Sequence, residues 1–101
     1  MVIVSKGSNT MWTVHIPKRV GKLIEKLPMR VKEALYVLMD DLQERGAVQG
    51  AWANYSKLGE NKHHCHLKKG KPCYVVVWEV TDKEVKIIEV QYVGTHKKAP
   101  Y

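Results

Sequence analysis

Hydrophobic and polar residues alternate with one period in the first half of the chain and another in the second. Met11–Ile16 (MWTVHI) alternates and is rich in β-formers, so it predicts a strand. Pro17 suits the first turn of a helix, where its missing N–H costs nothing, and Val20, Leu23, Ile24 and Leu27 follow at helical spacing. Pro28 opens a second helix in the same way. Its apolar stripe is Val31, Ala34, Leu35, Leu38 and Leu42, with Arg45 in the last turn and Gly46 as the C-cap. Residues 46–57 predict a connector, anchored to the core by Trp52 and Tyr55. The period then drops to two, predicting strands at about 61–68, 73–80 and 86–93 with turns at KGKP, around Gly70, and TDKE, around Asp82. Internal repeats and low-complexity tracts are absent from the sequence.

This β-α-α-β-β-β order predicts an α+β domain, with two N-terminal helices packed on one face of a mainly antiparallel four-stranded sheet. Residues 1–10 read as a flexible leader and 11–101 as a single domain. Pairing Lys68 with Cys73 sets Leu67 against Tyr74 and Cys65 against Val76. His63, Cys65, Leu67, Tyr74, Val76, Trp78 and Val80 then face the helices. Ile88, Val90 and Tyr92 join them if Asp82–Lys83–Glu84 forms a three-residue connection. Lys62, His64, His66, Lys68, Glu79, Glu89 and Gln91 are left on an open polar face. His64, Val77 and Glu89 share a row there, with His64 and Glu89 roughly 10 Å apart at the backbone. Cys65 and Cys73 fall on opposite faces, which disfavours a disulfide between them.

Composition narrows the function classes. The chain has 101 residues, 45% hydrophobic and 27% charged, as in ordinary globular domains. No apolar run approaches the ~20 residues that span a bilayer, and the start lacks a secretory pattern, so the expected location is the cytoplasm with no membrane partner. With 17 Lys+Arg against 10 Asp+Glu, the net charge of +7 suits a polyanionic partner.

That charge is concentrated. Five lysines and three histidines stand between residues 57 and 71 with one acid, Glu60. A solvated edge strand would account for the lysines equally well. The histidines point further, because imidazole both takes and gives a proton near neutral pH. His with Lys is what metal-free RNA cleavage needs: one group deprotonates the ribose 2′-OH, cations hold the phosphate, another protonates the leaving 5′-oxygen. A metal site is disfavoured, since neighbouring strand residues point apart and zinc-type ligand spacings are missing. The tail, Gly94–Tyr101, adds His96, Lys97 and a Tyr able to stack on a base, and is long enough to curl over the basic face.

Three segments carry a family likeness: NYSKL (54–58), HCHLKKGKPCYVVVWEV (64–80) and IIEVQYVGTHKKAPY (87–101). Together with the element order they resemble the RelE/ParE superfamily of type II toxin–antitoxin toxins, over nearly all of residues 11–101. The resemblance implies a ribosome-dependent mRNA endonuclease that inhibits translation; from the residues themselves, neither cofactor nor metal is expected. It also implies a cognate antitoxin, through which alone promoter DNA would be contacted. The candidate catalytic residues are His64, His66, His96, Tyr101 and Glu89. The candidate RNA-binding residues are Lys57, Lys62, Lys68, Lys69, Lys71 and Lys97. Many members carry an Arg after the Tyr that opens the next strand; here Val75 follows Tyr74, with Lys68 the nearest replacement on that face. Two further readings are a ParE-like non-enzymatic inhibitor of DNA gyrase and a non-catalytic basic RNA-binding or regulatory module.

Overall fold

The computed structural model describes residues 2–3, 11–68 and 72–101. Most of the expected leader, and the candidate lysines Lys69 and Lys71, lie outside the described residues. The elements in chain order are β1 (Val2–Ile3), β2 (Thr13–His15), α1 (Lys18–Glu25), α2 (Met29–Arg45), β3 (Ser56–Lys57), β4 (Lys62–Lys68), β5 (Tyr74–Asp82), β6 (Ile87–Thr95) and a 3-10 turn, His96–Lys98.

Both helices start where the prolines place them, although Pro17 and Pro28 sit at the N-cap and not inside the first turn. Each keeps an extended ψ, and the Pro17 carbonyl accepts from the N–H groups of Val20 and Gly21. Gly46 closes α2 with φ +86°, and a Cβ there would lie 2.8 Å from Trp12 Nε1. The position therefore demands glycine for both backbone and space.

The sheet has the order β1-β2-β6-β5-β4-β3. Two corrections follow to the expected four-stranded sheet. It gains two short outer strands: Val2–Ile3 pairs with β2, and Ser56–Lys57, within the expected connector, pairs with β4. It is also mixed, because β2 runs parallel to β6. Two helices lie between β2 and the hairpins, so the chain returns to its first strand with either polarity open; sequence pattern carries no information about which.

The helices cover one face. Val14, Ile16, Val20, Val31, Leu35, Leu38 and Leu42 pack against Cys65, Val76, Trp78, Ile88, Val90 and Val93. Trp78 is fully buried and its indole N–H donates to the Ala47 carbonyl at 3.0 Å. Full burial of a side chain that size is worth about 1.5–3 kcal/mol or more. Trp52 and Tyr55 tie the connector down as predicted, Trp52 through its Nε1–H to Asp41 at 2.8 Å.

Register departs from simple alternation at three places. Cys65 opposes Val76 as expected, but an extra residue at Leu67 sets Lys68 against Tyr74. Lys68 thereby leaves the open-face rows for that of Tyr74, which packs on the core. An extra residue at Gln91 sets Tyr92 against Val77 and returns Val93 to the core. Tyr92 is thus not a core residue of β6. The third irregularity, at Thr81, joins a β5–β6 link in which the Asp82 carboxylate accepts from the N–H groups of Glu84 and Val85. Ile88 and Val90 still face the core, reached by a different turn from the three-residue one expected. None of these bulges alters the hydrophobic pattern, so none is legible from it.

Candidate functional site

The face opposite the helices is where the chemistry collects. Val75 and Val77 form its floor, buried but outside the helix-side core. Pro100 and Tyr101 of the tail line a cleft over Val77. The 3-10 turn begins as the His96 N–H donates to the Cys73 carbonyl at 2.8 Å, and the chain then folds back over the sheet.

Four predicted residues come together there. The ring centroids of His64 and Tyr101 are 4.7 Å apart, those of His66 and His96 5.7 Å, those of His96 and Tyr101 5.8 Å, and those of His64 and His66 6.0 Å. Residues 30 or more positions apart in sequence thus form one ring cluster. His64 is 8% exposed, Tyr101 47% and His96 is exposed. Burial, with lesser contributions from Cys73, Cys65 and Tyr92, pushes the Tyr101 phenol above its ordinary range, so it stays protonated at neutral pH.

Hydrogen bonds distinguish the two strand histidines. His64 Nδ1 lies 3.1 Å from Ser56 Oγ and 3.3 Å from the Ser56 carbonyl. A carbonyl only accepts, so Nδ1 carries the hydrogen in the neutral ring and Nε2 keeps the lone pair. His66 Nδ1 faces the Asn54 amide nitrogen and Cys73 Sγ, each at 3.2 Å. An amide N–H donates, which places the lone pair of His66 on Nδ1 and the hydrogen on Nε2. Asn54 holds φ +52°, a backbone state Asn tolerates better than most residues.

His63 and Cys65 belong to the other face, as predicted. His63 stacks on Trp78 at 5.9 Å and shares a hydrogen bond with the Tyr55 hydroxyl at 2.7 Å. Burial, and then the Lys57 cation, lower its pKa. Burial pushes the Cys65 thiol up to about 12, which removes it as a nucleophile near neutral pH. Among the described residues, both cysteines are free, and no group of three or more His, Cys, Asp or Glu side chains could hold a metal ion.

Other candidates lie elsewhere. The β5–β6 link, different from the one expected, takes Glu89 out of the His64 row. Glu89 opposes Glu79, accepts from His15 Nδ1 at 3.0 Å and from Gln91 Nε2 at 2.7 Å. Lys57 opposes His63 and borders a groove on the helix side. Lys97 is exposed on the 3-10 turn, away from the strand lysines. Lys62 alone of the described strand lysines borders the histidine face.

Beside the ring cluster lies a cleft of about 450 Å³, walled by Arg19, Leu58, Lys62, Gln91 and Tyr101 over Val77. Arg19 was not singled out from the sequence. It projects from the first turn of α1, and its guanidinium donates to the Gln91 carbonyl at 2.8 Å. Its position depends on the parallel β2–β6 pairing, which starts α1 beside β6. Nor does the sequence pattern single out Asn54 and Ser56, although both fall in NYSKL, one of the segments that carry the family likeness.

No family profile matches the sequence, and no curated protein matches it with significance. Solved structures do match in shape. A doubly substituted E. coli RelE toxin in the free state superposes with a TM-score of 0.68 at 18% identity, covering 89% of this chain and 88% of that one. The isolated E. coli RelE toxin gives 0.65 at 20% identity, covering 90% and 89%. The archaeal RelE of a RelE–RelB complex from Pyrococcus horikoshii OT3 gives 0.65 at 17% identity, covering 89% and 100%. This chain has the fold of the RelE toxins.

Proposed function

We propose that the protein is the toxin of a type II toxin–antitoxin pair, and that it cleaves ribosome-bound mRNA by attack of a ribose 2′-OH on the adjacent phosphate. The observation that carries this reading is the cluster of His64, His66, His96 and Tyr101 beside Arg19 and Lys62 on the open sheet face of a RelE fold.

The roles follow from hydrogen bonding. His64, with its lone pair on Nε2, takes the 2′-OH proton. The 2′-oxygen bonds to phosphorus, the P–O5′ bond breaks, and the products are a cyclic phosphate and a 5′-OH. The His96 ring is exposed and has no hydrogen-bond partner among the described residues, and it delivers the proton to the departing oxygen. His66, Arg19 and Lys62 supply N–H donors and positive charge to the phosphate. Tyr101, kept as a phenol, stacks on a base and orients the nucleotide. Arg19 supports this reading for a further reason: it brings a cation to the face where Val75 stands in place of the arginine of many relatives.

Expression in growing bacteria tests the proposal. Translation should stop with new cuts in ribosome-associated mRNA, and purified protein should cut in the presence of EDTA. His96→Ala with Tyr101→Ala should cut at least ~10²-fold more slowly. Their melting temperature and antitoxin binding should stay close to wild type. Toxicity lost only in step with unfolding would make the tail a seal on the sheet. DNA damage without mRNA cutting would favour gyrase inhibition, and absence of toxicity a non-catalytic RNA-binding module.

A further inference from the structure

The cleft beside the histidines contains a polar group with a fixed orientation. The Gln91 side-chain amide stands between two carboxylates: its nitrogen is 2.7 Å from Glu89 Oε1 and 3.5 Å from Glu79 Oε1. Carboxylate oxygens only accept, so the NH2 end must face them, and a flipped amide would set three oxygens against one another. The remaining end of the amide is its carbonyl oxygen. That oxygen has no partner among the described residues, where no buried side-chain nitrogen or oxygen is left unpaired, so it is open to solvent. Gln91 lines the cleft. It stands there because alternation from the core-facing Val90 turns it to the open face, on which Val77 also lies. Glu89 is itself held by His15 at 3.0 Å, which secures the arrangement from behind.

We infer that the cleft seats one nucleobase and that Gln91 reads its edge solely as a hydrogen-bond acceptor, favouring bases with an exocyclic amino group over uracil. The cleft is the right kind of space. Val77 is an apolar floor, the half-exposed Tyr101 is an aromatic wall, and Arg19 and Lys62 stand at the rim for the attached phosphates. Gln commonly recognises adenine with donor and acceptor together. Here the donor is committed to the glutamates, so that bidentate contact is lost and only the acceptor remains. Adenine, cytosine and guanine each project an amino N–H toward such an acceptor. The one donor of uracil, N3–H, lies between two carbonyl oxygens, which meet the Gln91 oxygen repulsively.

The inference rests on the proposed cleavage of mRNA for its biological meaning, but not for its test. Purified protein is titrated with AMP, CMP and UMP and followed by amide chemical shifts. AMP and CMP should bind about three- to tenfold more tightly than UMP, the range of one hydrogen bond. The shifts should centre on Val77, Gln91 and Tyr101. Gln91→Met keeps length and removes the acceptor, and should bring the three affinities together with little change in UMP binding. Gln91→Leu serves if Gln91→Met does not fold. On ribosomes, cuts flanked by uridine should rise relative to the others in the same variant. Equal nucleotide affinities in the wild type, or a preference that survives Gln91→Met, would overturn the inference. Nucleotide preference without any mRNA cutting would leave it standing and remove the proposed nuclease function instead.

Discussion

A single histidine shows how burial is converted into chemistry. His63 and His64 are sequence neighbours, yet alternation along β4 sends one under the helices and the other to the open face. Packed against both Tyr55 and Trp78, His63 gains a proton only by placing a cation in the core. Its pKa is therefore depressed by burial first and by Lys57 second. The unfolded chain binds this proton at about pH 6.5, and the folded one only at lower pH. Stability is full above that value and falls as pH drops through the interval between the two. Thermal unfolding of wild type between about pH 7.5 and about pH 5.5 should lose more stability than His63→Gln does over the same range. Parallel curves for the two proteins would show that His63 does not carry the effect.

Among the elements, the end of β6 matters most for the open face. Tyr92, displaced from the core by the bulge, donates its hydroxyl to the Thr95 carbonyl at 2.8 Å, just before the chain enters the 3-10 turn. Gly94 gives it room, because a Cβ there would come within 2.6 Å of the Tyr92 hydroxyl and 3.0 Å of its Cζ. The aromatic ring is rigid and its hydroxyl is engaged, so neither yields cheaply. Gly94→Ala should destabilise the fold by about 1–3 kcal/mol, the usual range for overpacking. Tyr92→Phe in the same chain should recover part of that loss, since the closest contact is removed. Additive melting-temperature losses in the double variant would show that the two residues do not meet.

Over the whole molecule, the two faces of the sheet differ in character. One side is closed by two helices, and the other carries the ring cluster, Arg19 and Lys62, within a chain of net charge +7. No helix among the described residues is long and apolar enough to cross a membrane. If the protein is a toxin, the antitoxin segment that neutralises it should be acidic where it covers the basic sheet face or the helix pair. Its affinity should fall by tenfold or more between ~50 mM and ~500 mM salt, because exposed charges are screened over that range. A contact segment with net positive charge, or a complex indifferent to salt, would count against this arrangement.

Local periodicity determined a large part of this protein. Two prolines and an i, i+3, i+4 stripe placed both helices, Gly46 ended the second, and period-two alternation separated His63 and Cys65 from His64 and His66. These features are legible because each depends on residues within one or two turns or strands. The reach of the tail, and so the meeting of His96 and Tyr101 with the strand histidines, could be anticipated from chain length. Its hydrogen-bonded path could not. Tertiary structure alone decided the parallel pairing of β2 with β6, which starts α1 beside the cleft and makes Arg19 part of it. It alone decided the bulge at Leu67, which removed Lys68 from the row first assigned to it, the β5–β6 link, which set Glu89 against Glu79, and the bulge at Gln91, which took Tyr92 out of the core. A bulge adds one residue to one strand without changing the order of apolar and polar positions. Its location is set by twist and packing across the sheet, and the sequence of a single strand does not contain that information.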